Sequence, residues 1–258
     1  MTSDPGSAPT ATALLICPIP YDSRIWGRFA TVLGEHMRVV EVEWPRPEGA
    51  IFEMTSTIDH VVDRSGVAEF DVVVAAGLDA AAAVHLAVRG AVRAVALIDP
   101  SPGQEMPEVP FPDLDARLAG VFADNEDLLE ALAERDAEAL ARLLASQSGA
   151  GLSPANRRLV HDVFLDNVDT VFDAVRGAAS GTWWPDLLGS LEQPVLAFAR
   201  TSPQTDLALH HAMVEALVAR CAHGALVMVD SASELPWLAQ PDLMAAAIVA
   251  LGSPTTRP

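Results

Sequence analysis

Six short apolar runs, separated by stretches of helical periodicity, leave this chain few folds to choose from. They cover residues 13–17, 39–42, 72–76, 94–98, 195–199 and 226–229. Runs this short, rich in Val, Ile, Leu and Ala and with little polar alternation, read as strands covered on both faces. Helical patterns fall between them at about 25–33, 54–63, 80–88, 208–219 and 242–251. Strand and helix in alternation predict an α/β chain, with a mostly parallel sheet and helices on both faces. At 258 residues the chain is long enough to bury one full core.

The alternation stops between Ile98 and Val195. Pro100, Pro102, Pro107, Pro110 and Pro112 mark an exit loop, since proline resists helix interiors and central strands. Amphipathic helical stretches follow at 114–122, 126–133, 137–145 and 154–175, with Asp136 and Ser153 as N-caps and Pro154 as a first helical residue. Gly149-Ala150-Gly151 breaks the series, and Thr182-Trp183-Trp184-Pro185 closes it. The division expected is a flexible N-terminus over 1–12, a core over 13–111 and 191–252, and a helical insertion over 112–190.

Composition removes several function classes. The formal charge of -19 opposes binding to nucleic acid or to anionic membranes, which requires cationic side chains. There is no lysine, so Schiff-base chemistry and attachment of pyridoxal phosphate are excluded. Two cysteines, Cys17 and Cys221, make neither a disulfide framework nor a metal cluster, and no phosphate loop, zinc pattern or dinucleotide fingerprint is present. No cofactor or metal is expected. Residues 1–10 have no apolar segment of signal-peptide type, and no uncharged run reaches membrane-spanning length, so a cytoplasmic protein is expected.

Three segments carry the chemistry. Residues 72–83 read as a buried strand, a tight turn and a small-residue helix, with Gly77-x-Asp79-x-Ala81 at the turn. Leu14-Leu15-Ile16-Cys17-Pro18-Ile19-Pro20 is followed by Trp26. Ser231-Ala232-Ser233-Glu234-Leu235-Pro236-Trp237 opens a late loop that ends at Pro241. In order and spacing these resemble the α/β-hydrolase superfamily, whose nucleophile elbow is G-x-S-x-G. The resemblance implies an α/β-hydrolase fold with a helical cap over 112–190. It also implies an atypical member, because Asp79 stands where the nucleophilic serine belongs and Glu234 where the catalytic histidine belongs. Ser202 or Pro203 stands where the triad acid belongs. Triad-lacking members of this kind occur among tailoring enzymes of bacterial natural-product pathways, such as the peptide epimerase of bottromycin biosynthesis.

The family geometry further implies an oxyanion hole at the Ile19 and Ala80 backbone N–H groups. Asp79 then has three readings: a proton-transferring group, a nucleophile of the epoxide-hydrolase or haloalkane type, or a simple helix cap. Glu234 is either its partner, one of the two carboxylates being held protonated, or an exposed loop residue. Tyr21, the only tyrosine, either donates a hydrogen bond to substrate or lines a wall. Leu78, Trp183, Trp184 and Trp237 are candidates for an apolar pocket, with core packing the alternative for the tryptophans. His85 reads as a packed helix residue, and His210 and His211 have no metal partner at ligand spacing. The function these residues imply is non-hydrolytic: epimerisation, isomerisation or cyclisation, by proton transfer, of a large apolar peptide- or polyketide-derived molecule. The alternatives are an Asp-nucleophile hydrolase and an inert ligand-binding protein.

Overall fold

A computed structural model of the chain describes residues 11–43, 63, 67, 69–101, 127, 130–131, 134–168, 184–201 and 207–253. Among the described residues six strands form one sheet: β1 Thr12–Ile16, β2 Arg38–Val42, β3 Val72–Ala76, β4 Val95–Ile98, β5 Val195–Thr201 and β6 Gly224–Asp230. Their order is β2-β1-β3-β4-β5-β6 and every pairing is parallel. The chain steps from β1 to one side and returns to the other, so the direction of winding reverses between β1 and β3. In open parallel sheets the crevice beyond the carboxyl ends of the strands at such a reversal is the usual ligand site.

The seven described helices are α1 Gly27–Gly34, α2 Ala80–Val88, α3 Ala137–Ser148, α4 Pro154–Asp166, α5 Leu207–Ala219, α6 Pro236–Ala239 and α7 Pro241–Gly252. All six strands and the helices expected near 25–33, 80–88, 208–219 and 242–251 are present within a few residues. The expected helix at 25–33 is divided. A 3-10 turn, Ser23–Trp26, precedes α1, and Gly27, the first residue of α1, takes φ +45°, a left-handed conformation that glycine adopts without Cβ strain. The expected helix at 114–122, most of that at 54–63, and residues 169–175 of the one begun at Pro154 lie outside the described residues.

Strand alternation divides the apolar residues between two cores. Ala13, Leu15 and Cys17 face the side packed by Trp26, Phe29, Trp237, Met244 and Ile248. Leu14 and Ile16 face α2, Trp184 and Leu188. Four consecutive alanines, Ala80–Ala83, are buried at the start of α2, and their small side chains let that helix lie close to β3 and β4. Between β4 and β5, α3 and α4 pack on one another. The Ser153 hydroxyl accepts from the Asn156 N–H at 3.2 Å ahead of Pro154, and Asp136 accepts from the Ala139 N–H at 2.9 Å. These are the two expected caps, each worth about 1 kcal/mol.

Candidate active site

Asp79 and Ile19 meet across the reversal point. Gly77 opens the turn after β3 with φ +57°, a single 3-10 turn spans Gly77–Asp79, and α2 begins at Ala80. Asp79 is 4% exposed, and its Oδ2 accepts the Ile19 N–H at 2.9 Å. Its side chain makes no cap bond to α2, so helix capping does not explain it. The bond has a second consequence. Ile19 is expected, with Ala80, to offer its N–H to a substrate oxyanion; in this structure that N–H is donated to the Asp79 carboxylate. A buried carboxylate needs a donor, and the backbone N–H after β1 is within its reach. Leu78 lies within the turn; its side chain, like Trp183, Ser202 and Pro203, lies outside the described residues.

Glu234 and Tyr21 come together through a residue the sequence did not single out. The Ser148 hydroxyl, at the end of α3, donates to Glu234 Oε2 at 2.9 Å and is hydrogen-bonded to the Tyr21 hydroxyl. Ser233 in turn donates its hydroxyl to the Ser148 carbonyl and accepts the Leu235 N–H at 3.0 Å. Burial pushes the Tyr21 pKa up to about 12, with the Glu234 charge adding to the rise and the Ser148 bond opposing it. Tyr21 therefore stands as a neutral donor. Glu234 is bound to Ser148 and lies 3.7 Å from Arg200 Nη2; its side chain is half exposed, and its partners are α3 and β5 rather than Asp79.

A third group, also unforeseen, lies at the ends of β4 and β5. Asp99 Oδ1 accepts the Arg200 N–H at 3.1 Å and stands 3.1 Å from His210 Nε2. Arg200 Nε is 3.1 Å from Asp99 Oδ2 without an aligned hydrogen bond, a charge pair only. The cluster was hidden because its members are bonded across 101 and 111 residues of sequence. The local signal was Asp99-Pro100 directly after an apolar run. The remaining described histidines with assigned bonds go elsewhere: His211 to the Arg200 carbonyl, His161 to Asp162. His85 is partly buried with Nε2 unpartnered, and burial, followed by the charge of Arg89, lowers its pKa.

Two expected pocket residues belong to the core. Trp237 is 1% exposed, its ring centroid 4.8 Å from that of Trp26, and its Nε1 donates to the Ile25 carbonyl at 2.9 Å. Trp184 is buried on the opposite face of the sheet, against α2. Both indoles are consumed by packing, which removes them as walls of a site at the carboxyl ends of the strands. Cys17 is buried beside Trp26, and burial, followed by the charge of Glu43, raises its pKa, so it carries no thiolate chemistry. Among the described residues no group of three or more His, Cys, Asp or Glu could hold a metal ion, and no helix is long and apolar enough to cross a membrane.

No protein-family model matches the chain, and no curated protein matches it. Solved structures do. An esterase from Thermogutta terrifontis, with malate bound, superposes with a TM-score of 0.69 at 18% identity, covering 94% of this chain and 89% of that one. MenH from S. aureus gives 0.74 at 12% identity over 94% and 93%. The enol-lactonase from Burkholderia xenovorans LB400 gives 0.66 at 17% identity over 95% and 92%. Together with the sheet order and the turn at Asp79, these likenesses establish the α/β-hydrolase fold.

Proposed function

We propose that this α/β-hydrolase-fold chain is a non-hydrolytic enzyme that moves a proton next to a carbonyl of an apolar, peptide- or polyketide-derived molecule, as in natural-product tailoring, beneath a helical cap contributed by residues 112–190. The observation that carries the reading is Asp79: a buried carboxylate at the reversal point, one oxygen held by the Ile19 N–H. The Ile19 bond fixes the group, and the Asp79 carboxylate is the base. When Asp79 takes the proton from the α-carbon, the negative charge leaves Asp79 and appears on the enolate oxygen. Ile19, no longer bonded to an anion, can turn its N–H to that oxygen, with Ala80 as the second donor. One hole then serves both charge states in turn, and two anions never share it. Return of the proton to the other face of the carbon gives an epimer; return to another atom gives an isomer. Tyr21, Glu234 and Leu78 are assigned to substrate contact.

The same anchoring favours one second reading. Asp79 Oδ1 could attack an epoxide or haloalkane carbon, with Oδ2 already where an ester oxygen would gather charge. The fold neighbours are named as esterases and an enol-lactonase, and ester cleavage here would also have to pass through Asp79.

The experiment is deuterium uptake from D2O, measured by mass spectrometry, into N-acyl dipeptide esters and β-keto thioesters. Wild type is expected to exchange the α-proton without loss of mass, and Asp79→Asn to lose about 100- to 10,000-fold in rate. Exchange at the wild-type rate in Asp79→Asn sinks the proposal. An adduct on the Asp79 peptide after incubation with styrene oxide would establish the nucleophilic reading instead.

A further inference from the structure

We infer that His210, held by the Asp99 carboxylate, is a general base of the same site, standing in for the histidine that the loop after β6 lacks. The inference deepens the reading of Asp79 as a proton-transfer group and rests on it for its role in turnover.

Asp99 belongs to the site by position. It follows β4, the strand paired with β3, whose Ala76 faces Ile98 in register. The Ser101 N–H donates to the Gly77 carbonyl at 3.0 Å and fastens the segment after Asp99 to the turn that carries Asp79. Asp99 itself takes φ +43° immediately before Pro100. Proline pushes its predecessor toward extended backbone, and a left-handed non-glycine residue is strained. Such strain gathers at functional sites, where the surrounding structure enforces it. Here it turns the Asp99 side chain toward β5 and α5.

The chemistry of the pair is directional. A carboxylate only accepts, so the proton of a neutral His210 sits on Nε2, the nitrogen 3.1 Å from Asp99 Oδ1. Nδ1 is then the basic nitrogen, which is how an orienting acid fixes a histidine tautomer. The same carboxylate also faces Arg200, whose Nε lies 3.1 Å from Asp99 Oδ2, so Asp99 is held from β5 while it holds the ring. The His210 side chain is 19% exposed, so the ring is partly open to solvent. With Asp79 at β3 and His210 beside β4 and β5, one group can remove a substrate proton while the other delivers one.

The first test needs no substrate. Diethyl pyrocarbonate acylates a neutral ring nitrogen, and peptide mass spectrometry in a His211→Gln background reads His210 alone. We expect ready acylation of His210, slowed about 10-fold or more in Asp99→Asn, where the amide permits the wrong tautomer. The second test is the deuterium-uptake assay with His210→Gln and His210→Asn, the latter keeping an amide directed at Asp99. Both should lose about 100-fold or more. Unreactive His210, or equal reactivity in Asp99→Asn, overturns the inference whatever Asp79 does. So does exchange lost in Asp79→Asn but unchanged in both His210 variants. An Asp99-dependent, reactive His210 in a protein that exchanges no probe would overturn the reading of Asp79 alone.

Discussion

At the scale of single residues, Tyr21 offers an unusual handle because no other tyrosine exists in the chain. Near-ultraviolet phenolate absorbance therefore reports one side chain. Burial raises its pKa to about 12 from an ordinary value of 10.0. The folded state thus holds the proton more tightly than the unfolded state, and the contribution of Tyr21 to stability is complete below pH 10 and lost between about pH 10 and 12. The titration midpoint should lie well above 10 in the native protein. Glu234→Gln removes a charge that opposes the phenolate and should lower the midpoint; Ser148→Ala removes a bond that favours it and should raise it. Equal midpoints in all three proteins would mean that the Tyr21–Ser148–Glu234 string does not form in solution.

At the scale of elements, the corner between α3 and α4 is where a small change should be felt. Gly151 has φ +74°, and a Cβ there would come within 3.3 Å of the Ala232 Cβ, in the loop that carries Glu234. Gly151→Ala should cost about 1–2 kcal/mol for the left-handed backbone alone, lowering Tm by roughly 2–8 °C. Ser153→Ala, two residues on, loses only a cap, about 1 kcal/mol. Calorimetry on the two variants should rank them in that order, and a Gly151→Ala protein as stable as wild type would exclude the tight contact with Ala232. The elements themselves were largely legible. Buried strands such as Val72–Ala76 are uniformly apolar, and α2 opens on a run of alanines directly after a turn, so period and composition agree. The break at Gly27 was written as a glycine inside an apolar helical pattern, but a glycine there is compatible with an unbroken helix and decides nothing by itself.

At the scale of the whole molecule, legibility was unequal in a physically simple way. Asp79 and Ile19 could be found because each follows a strand in a motif of its own. Asp99, Arg200, His210 and Ser148 could not, because what defines them is a partner 86 to 111 residues away, brought close by sheet register and helix packing, and neither is local. Trp237 misled because an indole in a site loop and an indole in a core look alike in sequence until its N–H finds the Ile25 carbonyl. The distances along the chain within the site carry a consequence for how it comes into being. Ile19 bonds across 60 residues, Ser148 across 86, Asp99 across 101 and 111. Parallel sheets close such separations late, since loop entropy is lost before contacts compensate. The Asp79–Ile19 bond needs only β1 and β3, the Asp99–His210 pair must wait for β5 and α5, and the Ser148–Glu234 bond waits for the last strand. A growing chain would therefore acquire its carboxylate first, its histidine second and its tyrosine string last. Pulse-labelled hydrogen exchange during refolding should show the Ile19 amide protected no later than the Arg200 amide, and a nascent chain short of β6 would carry reactive groups without the contacts that restrain them.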